Sequence, residues 1–292
     1  MEQFVYANEG RVLLREANEE DIPKIYEMYQ ESYPESWWQN EELNEFRFNL
    51  IKEAKGRIFI AILEDKVIGH AEVVLPDSKE DPVYLVRLEI HDDFGRRKFG
   101  IELVRYSAII MKNLGYQSYV TWPDTNKSKG LYKKVGLKEI KENPQMLIKI
   151  VDKKVSKVEK IKELNFEEQP IDLKMAVGCP WARDYIWLKS FKAGNKELLD
   201  YKGPYVHQVS FNGIKLIILL DGNSLYIYVP ELEINNIELI EEALIYSSNL
   251  AFDNNIESLH INIKDKLWSQ LDLSDIWEIE KEEERLEMKM EF

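Results

Sequence analysis

Apolar and polar residues change their spacing along this chain in a regular order. Arg11-Val-Leu-Leu-Arg-Glu-Ala17 alternates with period two and predicts a half-buried strand. Asn18 then stands as an N-cap with Asp21 one turn on, and Ile22, Ile25, Tyr26, Met28 and Tyr29 recur at helical spacing. Tyr33-Pro34 through Trp37-Trp38 breaks that helix, and a second is expected from about Glu41 to Ala54. Arg57–Leu63 and Val67–Leu75 predict two strands joined at Glu64-Asp65-Lys66, a hairpin. Val83–Ile90, rich in Val, Leu and Ile, predicts another strand. Ile101–Leu114 predicts a helix with Leu103, Val104, Ala108, Ile109, Met111 and Leu114 turned inward. Gly115 ends it, because a residue without a Cβ takes the left-handed closing conformation freely. Ser118–Trp122 is expected as a strand, Lys127–Val135 as a short helix closed by Gly136, and Met146–Val151 as the last strand of a first domain.

The second half repeats the order of the first. Leu225–Leu232 stands where Val83–Ile90 stood, Ile237–Phe252 where Ile101–Leu114 stood, and Ser258–Ile263 where Ser118–Trp122 stood. Leu267–Leu273 echoes Leu131–Leu137, and Arg285–Met290 parallels the strand at Met146. The chain therefore reads as a tandem pseudo-repeat. Its length of 292 residues suits two domains, divided in the charged stretch Val151–Glu168, which gives 1–152 and 153–292.

Composition narrows the class of protein. Hydrophobic content of 45% and charged content of 32% fit a globular chain with a core in each half. The net charge of −14 lies mostly in residues 151–292, where 17 basic residues face 27 acidic ones. Such a surface repels phosphate backbones, so no nucleic-acid partner is expected, whereas a cationic amine is compatible with it. A lone cysteine, Cys179, forms no internal disulfide and points to a reducing, cytoplasmic setting. No leader pattern opens the sequence and no apolar run reaches a membrane span, so no membrane partner is expected. The four His and one Cys show no metal-ligand spacing.

Two segments carry chemistry. Phe94-Gly-Arg-Arg-Lys-Phe-Gly-Ile101 leads into a helix N-terminus, where unsatisfied N–H groups and the helix dipole favour an anion, and three basic side chains add charge. Further on stands Asn126-Lys-Ser-Lys-Gly-Leu-Tyr-Lys-Lys-Val-Gly-Leu137. Together they resemble the two cofactor-binding elements of the GNAT superfamily of N-acetyltransferases. The opening Leu14-Arg-Glu-Ala-Asn-Glu-Glu-Asp21 and the order β-α-α-β-β-β-α-β-α-β are also similar to that family, over residues 10–150. The resemblance implies a mixed α/β (α+β) GNAT fold, a twisted mixed sheet flanked by helices.

It also implies a reaction. Acetyl-CoA would be the co-substrate, and an N-acetyltransferase would move its acetyl group to a primary amine by direct attack in a ternary complex. Gly95, Arg96, Arg97, Lys98, Phe99, Gly100 and Ile101 would take the pyrophosphate. The family writes this loop Arg/Gln-x-x-Gly-x-Gly/Ala. In one register Gly95 takes the Arg/Gln slot, Lys98 the first Gly slot and Gly100 the second. In the other, Arg97 and Gly100 fit and Glu102 falls in the last slot. Leu88, Glu89 and Ile90 would pair with the pantetheine arm, and a main-chain N–H there would polarise the thioester carbonyl. Asn126 and Ser128 belong to the second element, in which Thr125 occupies the family's Asn slot. Tyr132 there would protonate the departing thiolate, or would only pack its ring beside CoA.

The base that takes the amine proton is expected among Glu89, Glu72, Tyr84 and His91, with Glu89 first. Trp37 and Trp38 lie in the region that lines the acceptor pocket in the family. They would hold a cation or an aromatic group, or simply pack a long loop. Cys179-Pro-Trp181 reads as a buried, inert thiol. In the second half, Glu231–Asn236 replaces the Gly/basic loop, Trp268 replaces Tyr132 and Asp272 replaces Gly136. A degenerate GNAT-like copy without CoA binding is expected there, covering the acceptor cleft or forming a homodimer. The acceptor is a small-molecule or peptide amine. The competing reading is a non-catalytic acyl-CoA-binding or protein-interaction module.

Overall fold

A computed structural model describes residues 2–7, 10–33, 41–53, 56–76, 78–123, 125–161, 173–178, 205–263 and 265–292. The chain divides into two compact units. The first comprises Met1–Ile140, Asp184–Lys189 and Leu286–Phe292, and the second Lys141–Arg183 and Ser190–Arg285. Among the described residues no helix is long and apolar enough to cross a membrane.

In the first unit, β1 (Glu2–Ala7), β2 (Gly10–Glu16), β3 (Arg57–Leu63), β4 (Lys66–Val74) and β5 (Val83–Ile90) pair antiparallel in that order. β6 (Ser118–Thr121) then lies parallel to β5. Helices α1 (Ile22–Ser32) and α2 (Glu41–Glu53) cover one face, where Ile25, Met28, Phe48, Ile58 and Ile60 pack. Helix α3 (Phe99–Asn113) and helix α4 (Asn126–Val135) cover the other, over Phe59, Ala61, Ala71 and Leu85, with Leu103 of α3 turned onto them. Ile109 and Leu114, expected on the inward side, are instead exposed at 47% and 36%. Period-two alternation along β3 sends Ile58 and Ile60 one way and Phe59 and Ala61 the other, so this central strand is apolar on both sides. Asn18 is the N-cap expected, and the structure adds a capping box: its side chain accepts from Glu20 N–H, and Asp21 accepts from Asn18 N–H at 2.8 Å.

The seventh place in this sheet differs from expectation. Met146–Val151 was the strand expected to close it. The closing strand is instead the end of β14 (Trp277–Glu291), whose Met288–Glu291 pair antiparallel with Thr121–Ser118. Met288 is fully buried in the α3-side core. Met146–Ile150, within β7 (Lys138–Ile150), joins the second unit's sheet against β13 (Ser258–Asn262). Sequence alternation cannot distinguish these two arrangements, because both strands carry the same apolar pattern and occupy equivalent slots.

The second unit has β8 (Glu159–Lys160), β10 (Tyr205–Phe211), β11 (Ile214–Asp221) and β12 (Ser224–Pro230) in antiparallel succession, with β13 parallel to β12. Helix α5 (Ile237–Asp253) packs on this sheet through Leu239, Ile240, Ala243 and Leu244, and a single turn, α6 (Asp265–Trp268), follows β13. Strand β9 (Leu173–Val177) pairs with β12. The run β12, helix, β13, short helix, β14 reproduces β5, α3, β6, α4, β7, as the repeat predicted. Both halves are therefore mixed α/β sheets flanked by helices.

Candidate active site

Strands β5 and β6 pair only at Val83–Tyr119 and Tyr84–Val120, with one further tie from Thr121 Oγ1 to the Leu85 carbonyl at 3.0 Å. Beyond Leu85 the strands part. Val86 to Ile90 become half-buried where Val83 to Leu85 are buried. A bulge against β4, between the pairs Glu72–Arg87 and Val73–Leu85, inserts Val86 and resets the alternation. His91 N–H bonds back to Ile68 O on β4 at 3.0 Å. By period two, the N–H of Glu89 also faces β4, and those of Leu88 and Ile90 face the gap. No strand pairs with them on that edge among the described residues. The same bulge places the side chains of Leu88 and Ile90 toward α3 and those of Arg87 and Glu89 toward α1 and α2.

The loop after β5 makes a 3-10 turn, Asp92–Phe94, capped by His91 Nδ1, which accepts from Asp93 N–H at 3.2 Å. Arg96 and Lys98 then adopt φ of +63° and +70°, and α3 begins at Phe99. This left-handed position before the helix falls on Lys98, the kind of position that glycine fills without strain, which favours the register placing Lys98 in the first glycine slot. No side chain caps α3. Its first-turn amides at Phe99, Gly100 and Ile101 therefore have no intrahelical partner and no cap. Arg96, Arg97 and Lys98 are exposed around them. A Cβ on Gly100 would lie 3.0 Å from Leu131 Cδ1, 3.4 Å from Ile90 Cγ1 and 3.7 Å from Leu88 Cδ2. Glycine here lets the helix N-terminus approach both the end of β5 and α4.

At α4, Thr125 is the N-cap, accepting from Ser128 N–H at 3.1 Å. Ser128 Oγ accepts from Thr125 N–H at 3.0 Å and donates to Thr125 O at 2.8 Å, so this hydroxyl serves the cap. Asn126 is exposed in the first turn. Tyr132 is buried, 6% exposed, and packs in the core that also holds Leu103 and Tyr119. Its hydroxyl lies near enough to Tyr119 to raise the latter's pKa, an effect smaller than that of burial and opposed by the Ser107–Tyr119 hydrogen bond. Gly136, at φ +116°, closes the helix as expected.

On the α1/α2 face the alternation aligns His70 and Glu72 of β4 with Glu89 and Arg87 of β5 as cross-strand pairs. Glu72 is fully buried. Arg47 of α2 grips it with two donors, Nε at 3.1 Å and an Nη at 2.5 Å, and Arg87 Nε stands 3.6 Å away. Burial alone would raise the Glu72 pKa, but Arg47 and then Arg87 overcome it and hold the group at about 2. His70, also buried, is driven down to about 3 by desolvation and is neutral at pH 7. Its Nδ1 lies 2.8 Å from the Tyr29 hydroxyl. Tyr33 donates to the Ile90 carbonyl at 2.6 Å, and burial, then the nearby Glu89 charge, push its pKa up. Glu89, 28% exposed at its side chain, lies 3.7 Å from Arg87 Nη1.

These contacts sort the expected bases. Glu72 is a clamped carboxylate and a poor proton acceptor. His91 Nδ1 accepts from Asp93 N–H and its Nε2 lies 2.6 Å from Glu31 of α1, so one nitrogen caps the turn and the other ties it to the helix. Tyr84 is buried on β5. Glu89 keeps an exposed edge. Trp37, Trp38, Cys179 and Trp181 lie outside the described residues. The residues that sequence reasoning missed are Arg47, Arg87, Tyr29 and Tyr33. Their signal was present in β4, where His70 and Glu72 interrupt an otherwise apolar, doubly covered strand and require polar partners.

The second unit carries the same two features in a closed form. Strand β9 pairs with β12 at Ile227–Pro230, bridges to Ile263 through Val177, and bonds Gly178 N–H to Asn262 O at 2.8 Å. Because β11 already holds the other edge of Ile227 and Tyr228, β9 lies in the gap where β12 and β13 diverge. The N-terminus of α5 is capped by Asn236, which accepts from Leu239 N–H at 3.1 Å, among Glu231, Glu233 and Glu238. Trp268, in the place of Tyr132, stacks on Trp277 with centroids 6.0 Å apart.

A divided sheet, an uncapped helix N-terminus at the division and a tyrosine-bearing helix beside it define a domain that can grip a linear anionic ligand along a strand edge. Residues 22–137 match the model of the acetyltransferase (GNAT) family, so the N-terminal domain is a GNAT domain. No curated protein matches the chain. Among solved structures, a candidate acetyltransferase from Pyrococcus horikoshii is similar over 96% of this chain and 89% of its own, at 14% identity and a TM-score of 0.61. That likeness extends the shared fold across both halves. The PaiA N-acetyltransferase of Thermoplasma acidophilum, crystallised with coenzyme A, is similar over 44% of this chain and 91% of its own, at 21% identity and a TM-score of 0.39. The ribosomal-protein-S18-alanine N-acetyltransferase of Escherichia coli is similar over 49% and 85%, at 14% identity and a TM-score of 0.38.

Proposed function

We propose that the N-terminal domain binds acetyl-CoA and transfers its acetyl group to a primary amine of a small molecule or peptide, both substrates being bound together. The observation that carries this reading is the uncapped start of α3, brought by Gly100 against the end of β5 where β5 leaves β6. The first-turn amides, with Arg96, Arg97 and Lys98 around them, suit a diphosphate. The N–H groups of Leu88 and Ile90 suit an amide-bearing arm laid along the strand edge.

Bound acetyl-CoA supplies an acetyl thioester. An outward N–H of β5 stabilises charge on its carbonyl oxygen. The C–N bond forms as the C–S bond breaks. Tyr132 gives its phenolic proton to sulfur, and Glu89, directly or through a water, takes the proton from nitrogen. Glu89 is preferred as base because it is the exposed carboxylate of the cluster, with Glu72 clamped and His91 committed to its cap. Trp37 and Trp38 remain proposed contacts of the acceptor. The second domain, with β9 in its gap and Asn236 on its helix, is proposed not to take CoA.

Calorimetry with CoA, followed by thiol release from acetyl-CoA over a panel of amines, tests this. Tyr132→Phe is expected to retain CoA affinity and lose turnover by ten-fold or more, since acid catalysis typically contributes about 10²–10⁴. Unchanged turnover removes the acid role. Binding without release of CoA-SH favours the non-catalytic reading, which the burial of Tyr132 supports.

A further inference from the structure

The buried charges behind Glu89 form a connected set whose arrangement exceeds what packing needs. Arg87 hydrogen-bonds Tyr29, and Tyr29 meets His70 Nδ1 at 2.8 Å. With Arg87 donating to the phenol oxygen, the phenol proton goes to Nδ1, and His70 presents Nε2–H toward Glu72 at 3.9 Å. Glu72, fully buried, thus takes hydrogen bonds from Arg47 and an ion-pair contact from Arg87 at 3.6 Å, with the neutral His70 ring beside it. A buried ion pair contributes little net stability compared with apolar residues of the same shape. Here two cations share one buried anion, and the second, Arg87, is also shared with Glu89 at 3.7 Å.

We propose that Glu72 is a positioning residue: by clamping Arg47 and Arg87 it fixes how much of the Arg87 charge reaches Glu89, and so sets both the placement and the basicity of that carboxylate. The groups around Glu89 are Arg87 on its own strand, His70 and Glu72 on β4, Tyr29 and Tyr33 on α1, Arg47 from α2 acting through Glu72, and Asp92 in the following turn. Of these, His70 is neutral and both phenols hold their protons, because burial drives their pKa values up. Arg47 and Arg87 then face the carboxylates of Glu72, Glu89 and Asp92. Removal of the Glu72 charge leaves Arg87 to Glu89 alone and makes Glu89 a weaker base. Removal of Arg87 makes it a stronger one.

The inference rests on Glu89 as the base only for its catalytic consequence, so the first test does not need turnover. The Glu89 carboxyl carbon is followed by 13C NMR in CoA-loaded protein, assigned with Glu89→Gln. Glu72→Gln is expected to move its midpoint down by about half a unit or more, and Arg87→Met to move it up by about one unit. Shifts of opposite sign are the signature, because a merely structural role lowers stability without ordering them. Arg47→Leu combined with Glu72→Gln removes the buried pair together, leaves no uncompensated Arg47 charge inside, and is expected to give a smaller shift of the same downward sign. Midpoints that coincide, or move together, overturn the proposal. The acid limb of kcat/KM for the best amine then follows the NMR midpoints if Glu89 is the base. A limb that stays fixed while the NMR midpoints move refutes the base assignment and leaves the positioning intact.

Discussion

Lys98 offers a test of the anion cradle that separates backbone from charge. Its φ of +70° and ψ of 1° put an L-residue in the left-handed region, which costs roughly 1–2 kcal/mol. Glycine relieves that strain and gives back about 0.5–1 kcal/mol through greater freedom of the unfolded chain. Lys98→Gly is therefore expected to stabilise the N-terminal domain by about 0.5–1 kcal/mol. Lys98→Ala keeps the strain and should be near neutral. Both variants lose one exposed cation beside the helix N-terminus, which at such a site is worth about 0.3–1 kcal/mol, a two- to five-fold loss of CoA affinity. Only Lys98→Gly lets the main chain come closer to a phosphate, so it should bind CoA at least as tightly as Lys98→Ala. Urea unfolding measures the first difference and calorimetry the second. A Lys98→Gly protein less stable than Lys98→Ala would mean that the loop does not hold this backbone, and the cradle built on it would fall with it.

Three further outcomes are expected. CoA should bind with a stoichiometry of one per chain, and Arg96→Glu with Arg97→Glu should abolish all of it; a second site surviving in that variant would show that β9 and Asn236 do not close the second domain. Stability should fall with acid from about pH 6.5 downward: His70 in the folded state titrates at about 3, below its ordinary value, so the unfolded chain binds more protons in between, at up to ~1.4 kcal/mol per pH unit. Glu72, held at about 2, adds a second loss below about pH 4.5, and His70→Gln should flatten the upper part of the urea-derived profile while leaving the lower part. A chain ending at residue 152 should not fold cooperatively, since it lacks the Met288–Glu291 ladder and the buried Met288, itself worth about 1.5–3 kcal/mol; a sharp native-like melt of that fragment would contradict the exchanged strand.

The sequence reading succeeded where a local period or a cap decides. The strand at Arg57–Leu63 and that at Val83–Ile90 fall where alternation and β-branched content put them, and α4 starts one residue before the expected Lys127 because Thr125 caps it. Gly136 ends α4 in the left-handed conformation expected of it. The sequence was silent on matters decided by partners distant in the chain. Strand β9, five residues long, has no turn signal that marks it as a filler of a gap. Arg47 and Arg87 read as ordinary charged positions, one on a helix and one in a strand. The bulge at Val86, which no single-residue preference announces, is what turns Arg87 to the face that Arg47 also reaches. His70 and Glu72 could have indicated the network, because polar residues in a strand covered on both faces must find partners inside.

The two halves treat the same backbone needs differently. A parallel pair that separates exposes a strand edge, and an exposed edge must be paired, covered or used. In the first domain Leu88 and Ile90 leave their N–H groups on that edge, and the adjacent helix start carries no cap. In the second, the same needs are met from within: β9 pairs with Ile227–Pro230, and Asn236 takes the N–H of Leu239. The chain itself thus satisfies these backbone groups, and the acidic residues Glu231 and Glu233 at that helix would repel an anion. What the second domain gains is a sheet complete enough to receive Met146–Ile150, while the last strand of the chain completes the first. Each half depends on a segment that the other end of the sequence supplies.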